Sequence, residues 1–377
     1  MRIGYDAKRA LANDTGLGTY ARLLLEGVSR AAPDWEFHLY APAGKRNLFA
    51  PTIAERDNLI LRTPRAPWSA AKAGLWRRLG MARAAKRDGC DVLHGLSHEL
   101  PAFTRSGPMK TIVTMHDMLP FRMPHLFPWP DRAIYRAKFR HACKAADLVL
   151  AVSEQTRQDV IDILSVEPDK VRVQYQACDP RFFTRIEPGA IDATLSRHNL
   201  ARGYVLFVGA IIERKNLLTL IRAMEALGRE SQAVLAVAGK GREWEKKARD
   251  SVTERKLEER VRFLGYVENA DLPALYRGAQ VLAYPSSYEG FGLPIVEALA
   301  SGTPVITSTG SCFGESGGPG ALYVDPGDVD GLAGALAQVL GDAALREELR
   351  AKGAEHVRRF HPDVVTQELL RIYRDLT

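Results

Sequence analysis

Short apolar segments alternate with amphipathic segments along almost the whole chain. In the first half the apolar segments are RIGYDA, EFHLYAP, DVLHGL, TIVTMHD, DLVLAVS and VRVQYQA, and in the second half they are YVLFVGA, AVLAVAG, VRFLGYV, AQVLAYP and TPVITS. Between them, stretches such as GTYARLLLEGV place Tyr20, Leu24 and Val28 on one helical face. Strands that alternate with helices predict parallel sheets covered by helices on both faces. We therefore expect an α/β protein with doubly wound sheets.

A polar stretch, residues 183–203, interrupts this alternation. It contains Pro188 and two glycines and separates two complete α/β series, so we predict an interdomain linker there. The predicted domains are residues 1–185 and 200–360, with a helix at about 361–377 that packs back on the first domain. Two doubly wound domains that face one another would form a ligand cleft at the carboxyl ends of their strands.

The charge of the chain points to an anionic partner. The formal net charge is +7, and a basic excess suits a phosphate ligand, a lipid headgroup or nucleic acid. From Arg62 to Arg87 there are eight basic residues and no acidic one, interleaved with Trp68, Leu75, Trp76, Leu79 and Met81. This pattern is typical of a basic amphipathic helix on an anionic membrane surface, or of a helix packed on its own domain with a solvated basic face.

The remaining bulk features favour a reduced cytosolic protein. The chain has no apolar run long enough for a transmembrane helix and no secretory signal at its amino terminus. Its four cysteines show no zinc-binding spacing.

The segment SSYEGFGLPIVEALASG lies where a strand meets a helix. Glu289 falls in the loop, whereas Glu297 falls about one turn inside the helix. The backbone N–H groups of Phe291, Gly292 and Leu293 would be the unpaired donors of the helix start, which bind anions and sugar hydroxyls. Alternatively, Glu297 only favours the helix dipole and Glu289 is a surface charge.

A second strand-to-helix junction, VLFVGAIIERKN, carries two cations. The strand ends at Gly209, the helix begins near Asn216, and Arg214 with Lys215 precedes it. Two cations beside a helix N-terminus suit a diphosphate, although a solvated basic pair has the same pattern. Beside such a site, the two glutamates fit a transferase better than a glycosidase, which needs two carboxylates flanking the bond to be cleaved.

The segment NDTGLGTYA has the glycine spacing of a dinucleotide-binding motif. Gly16 and Gly18 open a helix after the first strand, which raises an NAD-dependent oxidoreductase as a rival. However, the connection from Asp6 to Gly16 is longer than the tight turn of that motif, and FHLYAP ends without the acidic residue that would hold a ribose. We interpret the glycines as allowing close approach of a phosphate or sugar.

His116 follows the strand TIVTM, so we expect it to point from the carboxyl end of that strand into the cleft. There an imidazole can bond a sugar hydroxyl or stabilise developing charge. Asp117 beside it would either bond the imidazole or cap the following turn.

Two further patterns favour structural roles. Asp328 and Asp330 form a DxD pattern that binds metal–nucleotide in other transferases, but they precede an apolar helical stretch and are predicted to cap it. His94 and His98 have HxxxH spacing, but the stretch contains Gly95 and Pro101 and does not predict a zinc-binding helix.

Together the segments resemble the retaining GT-B glycosyltransferases of family 4. The likeness covers nearly the whole chain, in family order, through TGLGTY, TMHDMLP, AVSEQTRQDV, FVGAIIERKN, FLGYV, YPSSYEGFGLPIVEALASGTPVITS and ALYVDP. It is closest to mannosyltransferase-type members of O-antigen or exopolysaccharide synthesis. The chain departs from the family at YQACDPRFF, where many members have an Asn-Gly-Val-Asp turn; we expect no catalytic consequence from Gln176 and Ala177 there.

The resemblance implies roles for the candidate residues. Arg214 and Lys215 would hold the diphosphate of the sugar nucleotide, and Glu297 would bind the ribose. Glu289 would hold the transferred sugar together with the amides at the helix start, and His116 would contact that sugar from the first domain. The remaining candidates are Gly16 and Gly18 near the phosphates and acceptor, Gly209 at the sugar-nucleotide site, and Gly239 and Val267 beside the base.

The resemblance also implies that the domain of residues 1–185 lies on the acceptor side and that the domain of residues 200–360 binds the nucleotide sugar. It further implies the reaction. It is transfer of a hexose, with retention of configuration and without a required metal, from a sugar nucleotide to a lipid-linked or polysaccharide acceptor. GDP-mannose is favoured as the sugar nucleotide, and UDP-sugars remain open. The expected location is cytoplasmic, peripheral on the inner face of the cell membrane, with no nucleic-acid partner. A non-catalytic GT-B protein that binds a sugar or nucleotide is the alternative from another class.

Overall fold

The computed structural model describes residues 1–13, 15–42, 56–64, 73–102, 104, 107–228 and 231–377. The chain divides into two compact units, one formed by Met1–Ala177 with Pro362–Thr377 and the other by Cys178–His361. Part of the predicted basic helix, with Arg65, Trp68 and Lys72, lies outside the described residues.

The first unit contains a parallel sheet whose described strands have the order β3-β2-β1-β4-β5-β6-β7. Its strands are β1 (Arg2–Asp6), β2 (Glu36–Tyr40), β3 (Leu59–Arg62), β4 (Val92–Gly95), β5 (Lys110–Met115), β6 (Leu148–Ala151) and β7 (Val171–Val173). The direction of winding reverses between β1 and β4. In open α/β sheets, ligands bind outside the carboxyl ends of the strands at such a reversal.

The second unit repeats this plan with a described sheet of order β10-β9-β8-β11-β12-β13, again parallel throughout. Its strands are β8 (Tyr204–Val208), β9 (Leu235–Ala238), β10 (Val261–Gly265), β11 (Ala279–Tyr284), β12 (Val305–Ser308) and β13 (Ala321–Val324). Here the winding reverses between β8 and β11. Each unit therefore has one such reversal among its described strands.

Helices connect the strands in both units. In chain order they are α1 (Lys8–Ala12), α2 (Gly16–Ala31), α3 (Ala73–Leu79), α4 (Met81–Arg87), α5 (Leu119–Arg122), α6 (Trp129–Ala145), α7 (Glu154–Leu164), α8 (Pro188–Arg197), α9 (Leu217–Ala226), α10 (Glu243–Glu254), α11 (Leu272–Gly278), α12 (Leu293–Ala300), α13 (Phe313–Gly317), α14 (Val329–Gly341), α15 (Ala343–His356) and α16 (Pro362–Leu376). None of those built from described residues combines the length and the apolar character needed to cross a bilayer.

The strand predictions are largely confirmed, and the two strands that they omit are edge strands. The central strands β6 and β8 are buried along their whole length, as continuous apolar runs predict. In contrast, the omitted strands β3 and β13 lie at the edges of the sheets, and each has a single buried residue. The edge strands β7 and β10 have a similar burial pattern and were predicted. The segments of the omitted strands, LILR and ALYV, are also apolar, so the same criterion could have identified them.

The linker predicted at 183–203 is wrong, because this stretch belongs to the second unit and contains α8. Pro188 begins the helix, a position where its missing N–H costs nothing. Leu195 is buried against α11, where a Cβ added at Gly278 would lie 2.7 Å from it. A proline and glycines that suggested a linker therefore start a packed helix, and the boundary between the units falls at Ala177 and Cys178.

The carboxyl-terminal helix α16 belongs to the first unit, where it contacts α2. Leu369, Leu370 and Ile372 enter the same apolar core as β1 and β2. The Tyr373 hydroxyl lies 3.0 Å from the Tyr5 hydroxyl and 2.7 Å from Nδ1 of His94. Buried polar groups joined in this way hold the helix in one register.

The described part of the basic segment Arg62–Arg87 forms β3's last residue and the helices α3 and α4. Trp76 is 3% exposed and packs with Tyr40 and Met81 in the core. The burial of Trp76 agrees with the second of the two interpretations, a helix packed on its own domain. The exposed cations of the described part are Arg78, Arg83 and Arg87.

Candidate functional site

The loops after β8 and β11 meet at the reversal of the second sheet. β8 and β11 are neighbours, so the turn that follows one lies beside the turn that follows the other. The carbonyl of Arg214 accepts hydrogen bonds from the backbone N–H of Ser287 at 2.8 Å and from the hydroxyl of Ser287 at 3.1 Å. These bonds fix the two loops to one another.

Both predicted cations converge on Glu289. Nη1 of Arg214 lies 2.5 Å from its Oε1, and Nζ of Lys215 lies 2.7 Å from the same oxygen. The hydroxyls of Tyr284 and Ser286 donate to that oxygen as well, at 2.9 and 2.8 Å. One carboxylate oxygen thus organises two cations and two hydroxyls.

Glu289 is ionised because of these neighbours. Burial by itself would raise the pKa of its carboxyl, but the charges of Lys215 and Arg214 outweigh burial and lower that pKa to about 2. Burial lowers the pKa of Lys215, and the carboxylate of Glu289 opposes that effect. Two cationic side chains face a single carboxylate, which leaves an excess of positive charge at the end of the sheet.

Lys215 is held in a fixed position. It is 7% exposed, its ammonium lies 4.3 Å from the centre of the Tyr284 ring, and it also contacts the hydroxyl of that tyrosine. A Cβ added at Gly209 would lie 3.6 Å from Nζ of Lys215, and the φ of Gly209 is +133°. Such a backbone conformation favours glycine, and Lys215 lies at ordinary van der Waals distance from this position.

Glu297 has the opposite electrostatic environment. It lies in α12, half-buried, and accepts a hydrogen bond from the hydroxyl of the buried Tyr276 at 2.9 Å. Burial raises the pKa of Glu297 to about 7, although the Tyr276 hydroxyl opposes this. Unlike Glu289, this carboxyl is close to half-protonated at neutral pH.

The start of α12 is where the sequence predicted it. The helix begins at Leu293, and Gly292 before it has a φ of +87°, which favours glycine. The carbonyl of Gly292 accepts from the N–H of Ile295. The ring of Phe291 is buried edge-on against Phe360 at 5.1 Å, so this aromatic residue serves the core while its backbone forms the turn.

Gly209, Gly239 and Val267 follow three neighbouring strands of the sheet, at or just beyond their carboxyl ends. A Cβ added at Gly239 would lie 1.9 Å from the carbonyl oxygen of Gly209, so a side chain there would collide with backbone. Val267 is 6% exposed. The three candidates thus lie at one edge of the second sheet, as the prediction requires.

Gly16 and Gly18 differ from each other in the structure. Gly16 is the first residue of α2, and a Cβ added to it would meet nothing within 4 Å. A Cβ added to Gly18 would lie 1.8 Å from the carbonyl oxygen of Asn13. Gly18 is therefore required by the packing of its own loop, whereas Gly16 leaves room in front of the helix.

His116 is placed differently from the prediction. It follows β5 but is 4% exposed, and both ring nitrogens are engaged. Nε2 donates to the carbonyl of Leu96 at 2.8 Å, and Nδ1 accepts from the side-chain amide of Gln176 at 3.0 Å. Burial lowers the pKa of His116 to about 3, so the ring is neutral. A direct bond to a sugar would require one of these contacts to break.

Three further residues that the sequence singled out have structural roles in the fold. Asp328 caps α14 by accepting from the N–H of Gly331 at 2.9 Å, which confirms the predicted cap. Asp117 accepts from the N–H of Leu119 at the start of α5, the second of its two predicted roles. His94 is buried in β4 and bonded to Tyr373 and the Thr114 hydroxyl.

Sequence reasoning missed four residues that touch the candidates. Tyr284 and Ser286 bond Glu289, Tyr276 bonds Glu297, and Gln176 bonds His116. Tyr284 ends a predicted strand beside the glutamate motif, which could have drawn attention to it. The expectation that Gln176 has no catalytic consequence stays a prediction, and the structure adds that its side-chain amide bonds His116.

Comparison with known sequences places both units in glycosyltransferase families. Residues 15–182 match the family described as Glycosyltransferase Family 4, and residues 195–356 match Glycosyl transferases group 1. The chain is 33% identical to O-antigen chain mannosyltransferase B of Escherichia coli over a match of 287 residues, and this match covers 75% of the chain and 74% of that protein. The chain is also 30% identical to the O-antigen chain mannosyltransferase RfbU of Salmonella typhimurium, over a match that covers 62% of each protein.

Solved structures share the fold. Anabaena HepE in complex with UDP and glucose superposes with a TM-score of 0.78 at 18% identity, covering 100% of both chains. WaaG, a glycosyltransferase involved in lipopolysaccharide biosynthesis, superposes with a TM-score of 0.71 at 15% identity, covering 99% of both. The paired doubly wound units and the sequence matches agree, and the chain is a glycosyltransferase of the GT-B fold that belongs to family 4.

Proposed function

We propose that this enzyme transfers mannose, with retention of configuration, from a sugar nucleotide to a growing glycan of the O-antigen type. The observation that carries the proposal is the convergence of Arg214 and Lys215 on Glu289 at the reversal of the second sheet. The names of the two mannosyltransferase relatives support mannose and the O-antigen acceptor. GDP-mannose is the preferred sugar nucleotide.

The two cations would stabilise the diphosphate as it leaves. Breaking the bond between sugar and phosphate puts negative charge on the diphosphate, and cations positioned beforehand lower the energy of that transition state. Arg214 offers a planar fork that suits phosphate oxygens, and the buried Lys215 offers a point charge. Because Glu289 takes one oxygen of its carboxylate to hold both, the cations need no reorganisation when charge develops.

The two glutamates would then contact different parts of one ligand. Glu297 lies in α12 and, when ionised, can accept two hydrogen bonds from the vicinal hydroxyls of a ribose. Glu289, in the loop before that helix, would face the transferred hexose with the backbone amides of Gly292 and Leu293. Retention follows if the acceptor hydroxyl attacks from the leaving-group side and a phosphate oxygen takes its proton. This route uses no divalent metal.

For His116 we propose a positioning role in place of direct contact with the sugar. Its ring is neutral and bonded on both sides, so general acid or base chemistry at neutral pH is not its task. We assign it the positioning of the β5 end, with contact to the sugar only if the Gln176 amide is displaced. Gly16, with open space before it, is the better of the two glycine candidates for approach to phosphates or acceptor.

A ligand panel tests the proposal. We expect GDP and GDP-mannose to raise the melting temperature of the protein more than UDP, ADP or NAD, with or without EDTA. Mannose transfer to a synthetic glycan acceptor should also persist in EDTA. A preference for UDP would replace the mannose assignment, and activity that requires added metal would contradict the metal-independent route. Stabilisation by NAD alone would overturn the whole proposal.

Association with an anionic membrane is proposed for the exposed cations Arg78, Arg83 and Arg87. Basic residues near an anionic bilayer contribute about 1 kcal/mol each. Cosedimentation with phosphatidylglycerol vesicles at low salt checks this, and the double charge reversal R83E/R87E should reduce the bound fraction. Equal binding by the reversed variant would show that these helices do not face the membrane.

A further inference from the structure

The loop after β12, residues 309–312, lies against the turn that carries Glu289. Since β12 is a neighbour of β11, its loop leaves the sheet beside the loop of Glu289. The Oγ of Ser311 accepts from the backbone N–H of Glu289 at 3.2 Å and donates to the Glu289 carbonyl at 3.0 Å. The thiol of Cys312 donates to the same carbonyl at 3.3 Å. Two neighbouring side chains therefore bond the backbone of one glutamate.

Ser311 makes its bonds from a backbone conformation that serine rarely adopts. Its φ is +47°, in the left-handed region, directly after Gly310 with a φ of +74°. A side chain costs free energy in this region, whereas glycine does not have that cost. Residues held in this way are concentrated at functional sites, where the surroundings stabilise them. The shape of the loop alone would favour glycine at this position, so the hydroxyl needs a separate reason.

The helix that follows the loop supports the same turn. α13 contacts α12, and a Cβ added at Gly292 would lie 3.1 Å from Oγ of Ser316. Ser316 and Cys312 are both fully buried. The turn from Glu289 to Gly292 is thus held through its backbone by this segment and through its carboxylate by the two cations.

The two bonds of Ser311 restrain the direction of the Glu289 side chain. The N–H of a residue belongs to the peptide group before it, and its carbonyl belongs to the peptide group after it. A hydroxyl that bonds both groups therefore opposes rotation of either one. Because the Cα–Cβ bond turns with the backbone, such a rotation would carry the carboxylate away from Arg214 and Lys215.

From these contacts we propose that Ser311 is a positioning residue of the sugar-nucleotide site, which directs the carboxylate of Glu289 by fixing the backbone of that glutamate. Ser311 acts through Glu289, and Cys312 adds a third bond on the carbonyl side. That Glu289 faces a hexose rests on the proposed function, whereas the restraint on Glu289 rests on the bonds of Ser311 alone.

Three variants of this loop separate the hydroxyl from the shape of the loop. Ser311→Ala removes the hydroxyl and keeps the cost of the left-handed backbone. Ser311→Gly removes both, so it should melt at a higher temperature than Ser311→Ala. Thr309→Ala is the matched control, because the hydroxyl of Thr309 lies in the same loop and is bonded to the side chain of Asp325.

Calorimetric titration with GDP-mannose and with GDP measures the positioning. Without the Ser311 hydroxyl, the cations keep other partners, which are Tyr284 for Lys215 and the Tyr288 carbonyl for Arg214. The contact with the hexose should therefore weaken more than the contact with the diphosphate. We expect the ratio of the GDP-mannose Kd to the GDP Kd to rise about fivefold, which corresponds to one hydrogen bond.

Both Ser311 variants should show this rise, and Thr309→Ala should keep the ratio of wild type. A ratio that stays unchanged in both Ser311 variants would overturn the proposal. So would a ratio that Ser311→Gly restores, because the serine would then serve only the shape of the loop. An equal rise in Thr309→Ala would show that any change in the loop has the same effect, and would overturn it too.

A double-mutant cycle with Glu289→Gln measures the same coupling without a ligand. If Ser311 acts through the carboxylate, Ser311→Ala should lower the melting temperature by about 2 °C more in wild type than in the Glu289→Gln background, where the ion pairs are already lost. Equal shifts in the two backgrounds would contradict the proposal. The titrations of the single variants do not depend on the stability of Glu289→Gln.

The two measurements keep this proposal separate from the proposed reaction. If wild type binds neither GDP-mannose nor UDP-glucose but the cycle shows the coupling, the restraint on Glu289 stands and the transferase assignment fails. If wild type transfers mannose while the Kd ratio and the cycle show no effect of Ser311, the transferase assignment stands and Ser311 is not a positioning residue.

Discussion

The two sheets have the same topology around their reversals, but the side chains there differ in charge. At the β8/β11 reversal, Arg214 and Lys215 share one carboxylate, so cationic charge is in excess. At the β1/β4 reversal, Arg77 lies between the carboxylates of Asp6 and Glu99, and Lys138 pairs with Glu99 as well. The same topology therefore places charged side chains at both reversals, but in the second unit one carboxylate serves two cations, whereas in the first unit two carboxylates bracket one arginine.

The largest expected effect tests the charge excess of the second unit. Lys215→Ala should reduce mannose transfer at least about 100-fold, because the leaving diphosphate loses a prepositioned cation. Initial rates at saturating sugar nucleotide measure this. Lys246→Ala removes an exposed lysine of the same unit and should change the rate less than about twofold. Similar rates for both variants would show that the β8/β11 reversal does not hold the diphosphate.

The next effect concerns the carboxylate that holds the two cations. Glu289→Gln should lower the free energy of unfolding by about 3 kcal/mol at pH 7, because the buried Lys215 and the half-buried Arg214 lose their shared partner. Glu297→Gln should change it far less, since this carboxyl is already about half-protonated at pH 7. Chemical denaturation of the three proteins measures the difference. Equal losses would mean that the two glutamates do not have the opposite environments described here.

The same pair of variants should show opposite dependence on pH. The pKa of Glu289 is lowered to about 2, so its stabilisation is present above its ordinary pKa of 4.5 and is lost as the pH falls toward 2. The pKa of Glu297 is raised to about 7, so the wild type loses stability relative to Glu297→Gln as the pH rises from 4.5 through 7. Melting temperatures from pH 3 to 8 measure both trends, and parallel curves would contradict them.

A smaller effect tests the first unit. Glu99→Gln should lower the free energy of unfolding by about 1 kcal/mol, less than Glu289→Gln, because Arg77 keeps Asp6 as a partner. Chemical denaturation of the two variants beside wild type measures the difference. A loss as large as that of Glu289→Gln would show that Asp6 does not compensate for the lost carboxylate.

The smallest effect concerns the bond between Gln176 and His116. Gln176→Ala removes one hydrogen bond to a neutral ring and should lower kcat about three- to tenfold. Gln176→Glu can still bond the ring if the imidazole changes tautomer, and should recover part of the rate. A Gln176→Ala variant that is faster than wild type would show that the bond keeps His116 away from the sugar. Gln176 would then inhibit the reaction, and His116 would not have the positioning role.

The sequence was sufficient for eleven of the thirteen described strands and for their alternation with helices, but the order of the strands within each sheet was not predicted. The apolar runs located the carboxyl ends of the predicted strands, and hence the positions of Lys215 and Glu289. The edge strands β3 and β13 were missed although their segments, LILR and ALYV, are apolar. Pro188 and its neighbouring glycine suggested a linker, but a proline also begins helices.

Distances between side chains could not be derived from the sequence. The convergence of Arg214, Lys215, Tyr284 and Ser286 on one oxygen depends on the pairing of β8 with β11, which are far apart in the chain. The burial of Trp76 and the contact of Gln176 with His116 likewise depend on tertiary packing. A local pattern identifies the type of residue at a strand end but not the partner that it meets.

The return of α16 to the first unit has a consequence for biosynthesis. The second unit is one uninterrupted segment, whereas the core of the first unit includes Leu369, Leu370 and Tyr373. On the ribosome, the first half of the chain emerges early but lacks these side chains until residues 362–377 have been translated. The unit that is translated second can therefore finish folding first, and the apolar face of α2 that α16 covers remains uncovered until then.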